Sequence, residues 1–437
     1  MSDFFDDPMS RFQAVLAVID TNKMARLVHD MYQRLYPNDS SANLSALPTV
    51  DEPTHGSFNL VFPVTFSNGV RWVIKVPALG TQAEWNESAA QNLFTEANTM
   101  RLLTREPSIP LPDIIVFSAS LQNPLGCHYM VMSFVEGIPL QKVWFGNYRG
   151  VDDVTFHLRR KRALEGIAAS MVQLSRYTFP TSGRMLFDDN GNLLPGTAAY
   201  RRLDEESRLE DPSREINFLD CAASSDTTQH YTALLDKHPQ HDYYLGVDRI
   251  LRQLISWIPE TAQDPFVLSP PDFSMHNFLV SEEGQLQAII DWDGVAAVPR
   301  SIGNERYPGW LINDWNLEYE QAQEDPTIMH GDGDNLQYYR GLYRKLISQY
   351  GQGGTKINNV SVCRMSLVIE AIDFAIIDVE NRAPILNNVV EEVWGVAGFQ
   401  RPPTIHQLVA MYRKGNVHPK ILEGLERGFA KLLKTCK

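Results

Sequence analysis

The hydrophobic patterning of the chain changes character partway along, and that change restricts the fold more than any other feature. After a helical N-terminal segment, short strand-like runs surround a single helical stripe up to about residue 135; from Asp152 onward helical spacing dominates. Residues 58 to 66 and 70 to 76 are rich in Val, Phe and Ile and flank Ser67-Asn68-Gly69, whose Asn-Gly pair predicts a tight hairpin with positive φ angles. From Glu84 to Arg105 the stripe Trp85, Ala89, Leu93, Ala97, Met100 and Leu103 predicts an amphipathic helix that Pro107 to Pro112 close. Ile114 to Phe117 and His128 to Phe134 predict two more strands, and Glu136-Gly137-Ile138-Pro139 a turn. The first third thus reads β-β-α-β-β, preceded by helical spacing over residues 10 to 35. Later helical stripes fall at 156 to 176, 335 to 350, 361 to 381 and 418 to 434, with a strand-like patch at 278 to 291. A length of 437 residues exceeds what one core usually organises, so two lobes are expected.

Thirty-nine basic against 53 acidic side chains give a net charge of -14, a field that repels nucleic-acid backbones and anionic lipid surfaces. The acidic start, and the lack of any apolar stretch of the ~18 residues a bilayer crossing requires, predict a soluble cytoplasmic protein with neither nucleic-acid nor membrane partners. Cys127, Cys221, Cys363 and Cys436 are scattered, which suits a reducing compartment and fits neither a disulfide framework nor a zinc site.

The stretch richest in chemistry runs from Phe266 to Gly294. Asp272 and Asn277 lie five positions apart between strand-like pieces, and Asp291 ends the second piece. Phosphoryl transfer needs a carboxylate to orient and deprotonate the attacking hydroxyl, and oxygen ligands to hold Mg²⁺ against nucleotide phosphates. Alone, the pattern reads better as a hairpin whose Asp and Asn cap turns. Its context lies upstream. His55-Gly56-Ser57-Phe58-Asn59 offers a glycine-bearing loop for phosphates, Lys75 sits in the second hairpin strand, and Glu96 lies beside the stripe of the following helix, placed to pair with Lys75. The order glycine loop, strand Lys, helix Glu, two strands, Asp-x4-Asn and strand-terminal Asp carries the functional assignment.

With these residues in place, the chain resembles the aminoglycoside phosphotransferase and choline kinase-like branch of the protein-kinase fold, and within it a fungal-type phosphotransferase group. The resemblance covers about residues 50 to 320. It rests on Gly56 to Val64, Trp72 to Pro77, Glu96 to Leu103, Met130 to Leu140, Asp272 to Val280, Ile289 to Val295 and Pro299 to Pro308. It implies an α+β bilobal fold, with a small five-stranded antiparallel lobe with one helix over 45–135 and a larger, mainly helical lobe over 136–437; the helical spacing ahead of the sheet makes 1–44 an N-terminal helical extension. It further implies an ATP- and Mg²⁺-dependent kinase of a small hydroxylated acceptor. Asp272 would be the catalytic base, Asn277 and Asp291 the metal ligands, Lys75 the phosphate-binding lysine and Glu96 its partner. Gly56, Ser57, Phe58 and Asn59 would cover the phosphates, and the backbone of Ser133 to Val135 would hold the adenine. The family usually has His two residues before the base, as a loop support; here Pro270 and Pro271 precede Asp272, which motivates the alternative of a non-catalytic nucleotide-binding pseudokinase. Asp291-Trp292-Asp293 replaces Asp-Phe-Gly and no activation segment follows, against a protein substrate.

Asp293, Glu305, Trp310 and Asp314, with Tyr307 and Trp315, follow at a distance suited either to the mouth of an acceptor pocket for a cationic substrate or to packing of the larger lobe. Arg159-Arg160-Lys161-Arg162 reads as a solvated helix face. Neither the acceptor nor the oligomeric state is marked by any motif.

Overall fold

The computed structural model describes residues 9, 12–39, 46–56, 58–78, 87–106, 109–145, 153–203, 218–237, 244–260, 265–312, 315, 333–379 and 381–435. They divide into two compact units. The first is Met1–Gly137 with Phe187–Leu193 and Gln287–Asp293; the second is Ile138–Leu186, Leu194–Leu286 and Gly294–Lys437.

In the first unit, helices α1 (Gln13–Val18) and α2 (Thr21–Leu35) precede strands β1 (Thr49–Val50), β2 (Thr54–His55), β3 (Asn59–Thr65) and β4 (Arg71–Pro77). Helix α3 (Glu87–Leu103) and strands β5 (Ile114–Ser118) and β6 (Tyr129–Ser133) follow. The sheet runs β1-β3-β4-β6-β5 with β2 added against β3, every pair antiparallel. It has six strands rather than the five expected, because β1 and β2 are dipeptides too short to show a period in the sequence.

Alternation along β4 assigns its two faces. Trp72, Ile74 and Val76 join Leu60, Phe62 and Val64 of β3 and Tyr129 and Val131 of β6 in one core, which Phe12, Val15, Met24, Val28 and Tyr32 of the N-terminal segment complete. Each such buried side chain contributes about 1.5–3 kcal/mol. Lys75, between Ile74 and Val76, must therefore point to the other face. The break between α1 and α2 is made by Asp20, whose side chain caps α2 by accepting from the Asn22 and Lys23 N–H groups.

The β3–β4 hairpin departs from expectation at its turn. Only Gly69 takes positive φ, at 86°, while Phe66 N–H donates to the Val70 carbonyl and Gly69 N–H to the Phe66 carbonyl. Asn68 contributes its side chain instead: Oδ1 accepts from the Val70 N–H at 3.1 Å, and Nδ2 donates to the Tyr32 hydroxyl at 2.7 Å, fastening α2 to the hairpin.

The second unit contains the four helices expected from the sequence, at Asp153–Gln173, Gly333–Tyr350, Val362–Ile377 and Pro419–Thr435. Arg382–Ala397, Ile405–Lys414, Thr227–Leu235 and Leu245–Ser256 are further helices that the stripes did not single out. The Val362–Ile377 helix is buried at every position but Arg364 and Phe374, which makes it the centre of this unit. Strand Phe266–Ser269 pairs with Ala296–Pro299, so the loop bearing Asp272 leaves from a fixed strand end. Ile138–Pro139, expected as a turn, is a short strand paired with Leu279 and Val280. The basic run is not a uniformly solvated face: Arg160 is buried, donates twice to the Trp144 carbonyl at 2.9 and 2.7 Å and lies over the Phe156 ring. Cys127, Cys221 and Cys363 are buried free thiols, whereas Cys436 lies outside the described residues. Among the described residues no helix is long and apolar enough to cross a membrane.

The turn after the Asp272–Val280 stretch closes with Gly284 N–H on the Ser281 carbonyl, and Gly284 has φ 84°. A Cβ there would come within 2.2 Å of the Arg159 carbonyl oxygen, whereas a Cβ at Gly196, with the same φ in the same unit, would meet nothing within 4 Å among the described residues. Gly196→Ala should cost only the left-handed strain of about 1–2 kcal/mol, and Gly284→Ala should exceed it by a further ~1 kcal/mol or more. Urea unfolding of the two variants side by side checks this, and equal midpoints would contradict it.

Candidate active site

Lys75 is 6% exposed and its Nζ donates to Glu96 Oε1 at 2.7 Å and to Asp291 Oδ1 at 2.9 Å. Strand alternation sets its direction, and the α3 stripe of Leu93, Ala97 and Met100 turns Glu96, 3% exposed, toward the same face. Burial alone would lower the lysine's pKa; the Asp291 and Glu96 carboxylates outweigh it and hold the ammonium well above its ordinary value. Burial pushes the Glu96 carboxyl up to about 7, against the opposing lysine charge. A buried group of this kind is stable only as a set, since removing one partner of a buried ion pair costs about 3–5 kcal/mol.

Asp291 stands where strand Leu286–Ile289 has ended, with φ 58°, a left-handed conformation that Asp tolerates better than most residues. The turn is fixed on both sides: Ile289 N–H donates to the Pro110 carbonyl at 2.9 Å, and the fully buried Trp292 donates its indole N–H to the Ile289 carbonyl at 3.2 Å. Its side chain remains 41% exposed, so one edge of the carboxylate meets Lys75 while the rest faces solvent.

In the second unit, Asp272 and Asn277 are brought together by a short 3₁₀ turn over Met275–Asn277. Asn277 Nδ2 donates to Asp272 Oδ2 at 2.9 Å and to the Asp272 carbonyl at 3.3 Å, and Ser274 Oγ donates to the same Oδ2 at 3.2 Å. The five-residue spacing is what lets the amide reach back to the carboxylate. Asp272 is exposed and Asn277 buried. With its Nδ2 committed, Asn277 presents Oδ1 as its remaining polar atom. That oxygen in the second unit and the Asp291 carboxylate in the first are each a hard donor of the type Mg²⁺ takes. Ser274 was not singled out from the sequence; a hydroxyl two positions after Asp272 was the available signal.

Around the glycine loop, Gly56 N–H donates to the Asn59 carbonyl and Ala78 N–H to the Phe58 carbonyl, which ties Phe58 and Asn59 to the end of β4 beyond Lys75. Ser57 lies outside the described residues. At the end of β6, Ser133 N–H donates to the Asp113 carbonyl, Ser133 Oγ accepts from Asp113 N–H, and Phe134 N–H donates to the Arg71 carbonyl. The amides of Ser133 and Phe134 are thus committed, and Val135 is the next.

Of the residues considered for an acceptor pocket, Asp293 is exposed and adds its charge to the field at Lys75. Glu305 is 4% exposed and accepts from the Thr355 N–H and hydroxyl, and Trp310 is buried against Trp144, Phe273 and Phe278. Both have the environment of packing residues. Tyr307 is likewise buried, and Asp314 lies outside the described residues.

Comparison with known proteins adds to this geometry. The chain is 25% identical over 165 residues to the altered inheritance of mitochondria protein 9 of Debaryomyces hansenii, a match covering 38% of this chain and 25% of that one. It is 28% identical over 342 residues to a subtelomeric hrmA-associated cluster protein of Aspergillus fumigatus, covering 64% of each. The chain thus spans about a quarter of the first relative's length and 64% of the second's. A solved structure from Ralstonia eutropha, described as an aminoglycoside phosphotransferase, is similar at 13% identity and a TM-score of 0.48, over 94% of this chain and 99% of that one. The model of the phosphotransferase enzyme family matches residues 49–300, which contain Lys75, Glu96, Asp272, Asn277 and Asp291, and by that match the chain belongs to the phosphotransferase enzyme family.

Proposed function

We propose that the protein transfers the γ-phosphoryl group of ATP to a hydroxyl of a small-molecule acceptor. The observation that carries this is the buried Lys75, shared between Glu96 and Asp291. A lysine held protonated by one fully buried carboxylate and one half-exposed carboxylate supplies a fixed positive charge with a solvent-facing side, where anionic phosphates are met. In this reading residues 45–135 hold the nucleotide, with Gly56 to Asn59 over the phosphates and the Ser133–Val135 backbone, Val135 foremost, at the adenine; residues 136–437 carry the base and the acceptor site.

Asp272 accepts the proton of the acceptor hydroxyl as that oxygen bonds to the γ-phosphorus and the bond to the β-phosphate oxygen breaks, ADP leaving. Asn277 and Ser274 both bond Oδ2, which fixes the carboxylate and leaves Oδ1 for the hydroxyl. Magnesium bound with ATP would offset phosphate charge, and in this reading Asn277 Oδ1 and Asp291, each from its own unit, would be the oxygen donors that hold it. One observation favours a non-catalytic nucleotide-binding protein instead: Pro270 stands where the resembled family has its loop-supporting histidine.

Three outcomes are expected. Mg·ATP at ~100 times its Kd should stabilise the protein by about 2.7 kcal/mol in a thermal-shift titration; no shift would remove the nucleotide claim. Asp272→Ala should keep Mg·ATP affinity and lose ~10²- to 10⁴-fold in acceptor-dependent turnover, whereas Asp291→Ala should lose metal-dependent nucleotide binding as well. The readout is ADP release across hydroxylated metabolites and aminoglycosides; wild type and Asp272→Ala binding Mg·ATP equally with identical background release would select the non-catalytic alternative. Finally, the Glu96 pKa of about 7 lies above its unfolded value of about 4.3, so its effect on stability is unfavourable as pH rises through that window. Lys75→Met removes the opposing charge, so its stability deficit against wild type should widen from pH 5 to pH 8 in urea unfolding; a pH-independent deficit would contradict the coupling.

A further inference from the structure

The loop bearing Asp272 has an anchoring problem that follows from its sequence. Ser269 ends the Phe266–Ser269 strand, and Pro270 and Pro271 come next. Neither proline has an N–H, so between the strand and Asp272 the backbone can be held only through carbonyl oxygens.

The hold comes from a later segment of the same unit. Arg306 Nη2 donates to the Pro270 carbonyl at 3.1 Å, and the guanidinium lies over the Phe273 ring, 5.6 Å from its centroid. Its Nη1 stands 3.9 Å from a Glu370 carboxylate oxygen on the buried Val362–Ile377 helix. Three residues beyond Arg306, the Gly309 N–H donates to the Phe273 carbonyl at 3.1 Å. The residues two before and one after Asp272 are therefore both gripped by the 306–309 segment. Arg306 Nε finds no partner among the described residues, and burying a guanidinium is a poor route to stability alone, since apolar residues of similar volume usually serve as well or better. A rigid fork that reaches a carbonyl, an aromatic face and a carboxylate together is something an arginine does and a lysine does not.

We propose that Arg306 is a positioning residue, a strut that fixes the Asp272 loop from outside because the two prolines leave no backbone donor between the strand and Asp272. This deepens, and for its kinetic consequence rests on, the reading in which Asp272 takes the acceptor proton.

The test uses the full chain with Arg306→Met and Arg306→Lys, read by amide hydrogen exchange and by steady-state kinetics. Amides of Phe273 to Asn277 should exchange at least ~10-fold faster in Arg306→Met while the Val362–Ile377 helix stays within about twofold of wild type, as expected when a local opening is released without global unfolding. Acceptor-dependent kcat should fall ~10²-fold with KM for ATP nearly unchanged, the scale of loss that follows misplacement of a reacting group. Arg306→Lys should be intermediate in both readouts, and it decides the matter should Arg306→Met fail to fold. Unchanged loop exchange, or loop and helix rising together, would overturn the strut. A wild type without turnover on any acceptor would sink the phosphotransfer reading alone, because the exchange result stands independently of catalysis.

Discussion

A lysine with two carboxylates and almost no water is the constraint on which the first unit is built. The charge on Lys75 is tolerable in the interior only because Glu96 and Asp291 are both within hydrogen-bond distance, at 2.7 and 2.9 Å. Glu96 arrives from 21 residues away and Asp291 from 216, so the group is satisfied only after a long chain closure. The sheet's alternation and the α3 stripe make the first contact nearly automatic. The second depends on a separate strand end, held by the Pro110 carbonyl and by the buried Trp292. A stretch near residue 290 is thus as much a part of this unit as the sheet.

The second unit solves a different problem, that of presenting an exposed carboxylate in a fixed orientation. The geometry of Asp272 comes from neutral donors, Asn277 and Ser274, and from carbonyl attachments on either side of it. Positioning here is done by backbone and amide chemistry, and in the first unit by ion pairing.

Much of this was legible in the sequence, for identifiable reasons. The β3–β4 hairpin, α3 and the longest later helices show because their periods run over enough residues to stand out. Lys75 and Glu96 were readable as a pair because strand and helix periodicity each fixed a direction. Asp272 and Asn277 stood out by a spacing that suits a carboxylate base followed by a metal-binding Asn, whereas the amide's reach back to the carboxylate shows only in the fold. What escaped depends on partners distant in the chain. Ile138–Pro139 looks like a turn until Leu279 and Val280 pair with it. Arg160 looks solvated until the Trp144 carbonyl is beside it, and Glu305 looks available until Thr355 occupies it. Asn68 was expected to shape the turn through its backbone and does so through its amide, in service of a helix 36 residues earlier.

The N-terminal helices carry a practical consequence. The family match begins at residue 49, yet one face of the sheet, with Phe62, Trp72 and Ile74, is covered by Phe12, Val15, Met24, Val28 and Tyr32. A truncation drawn at the edge of the family match would strip that cover and leave a contiguous aromatic and aliphatic surface open to water, the kind of surface on which chains associate. The cover of that face therefore starts no later than Phe12, ahead of every residue in the candidate site.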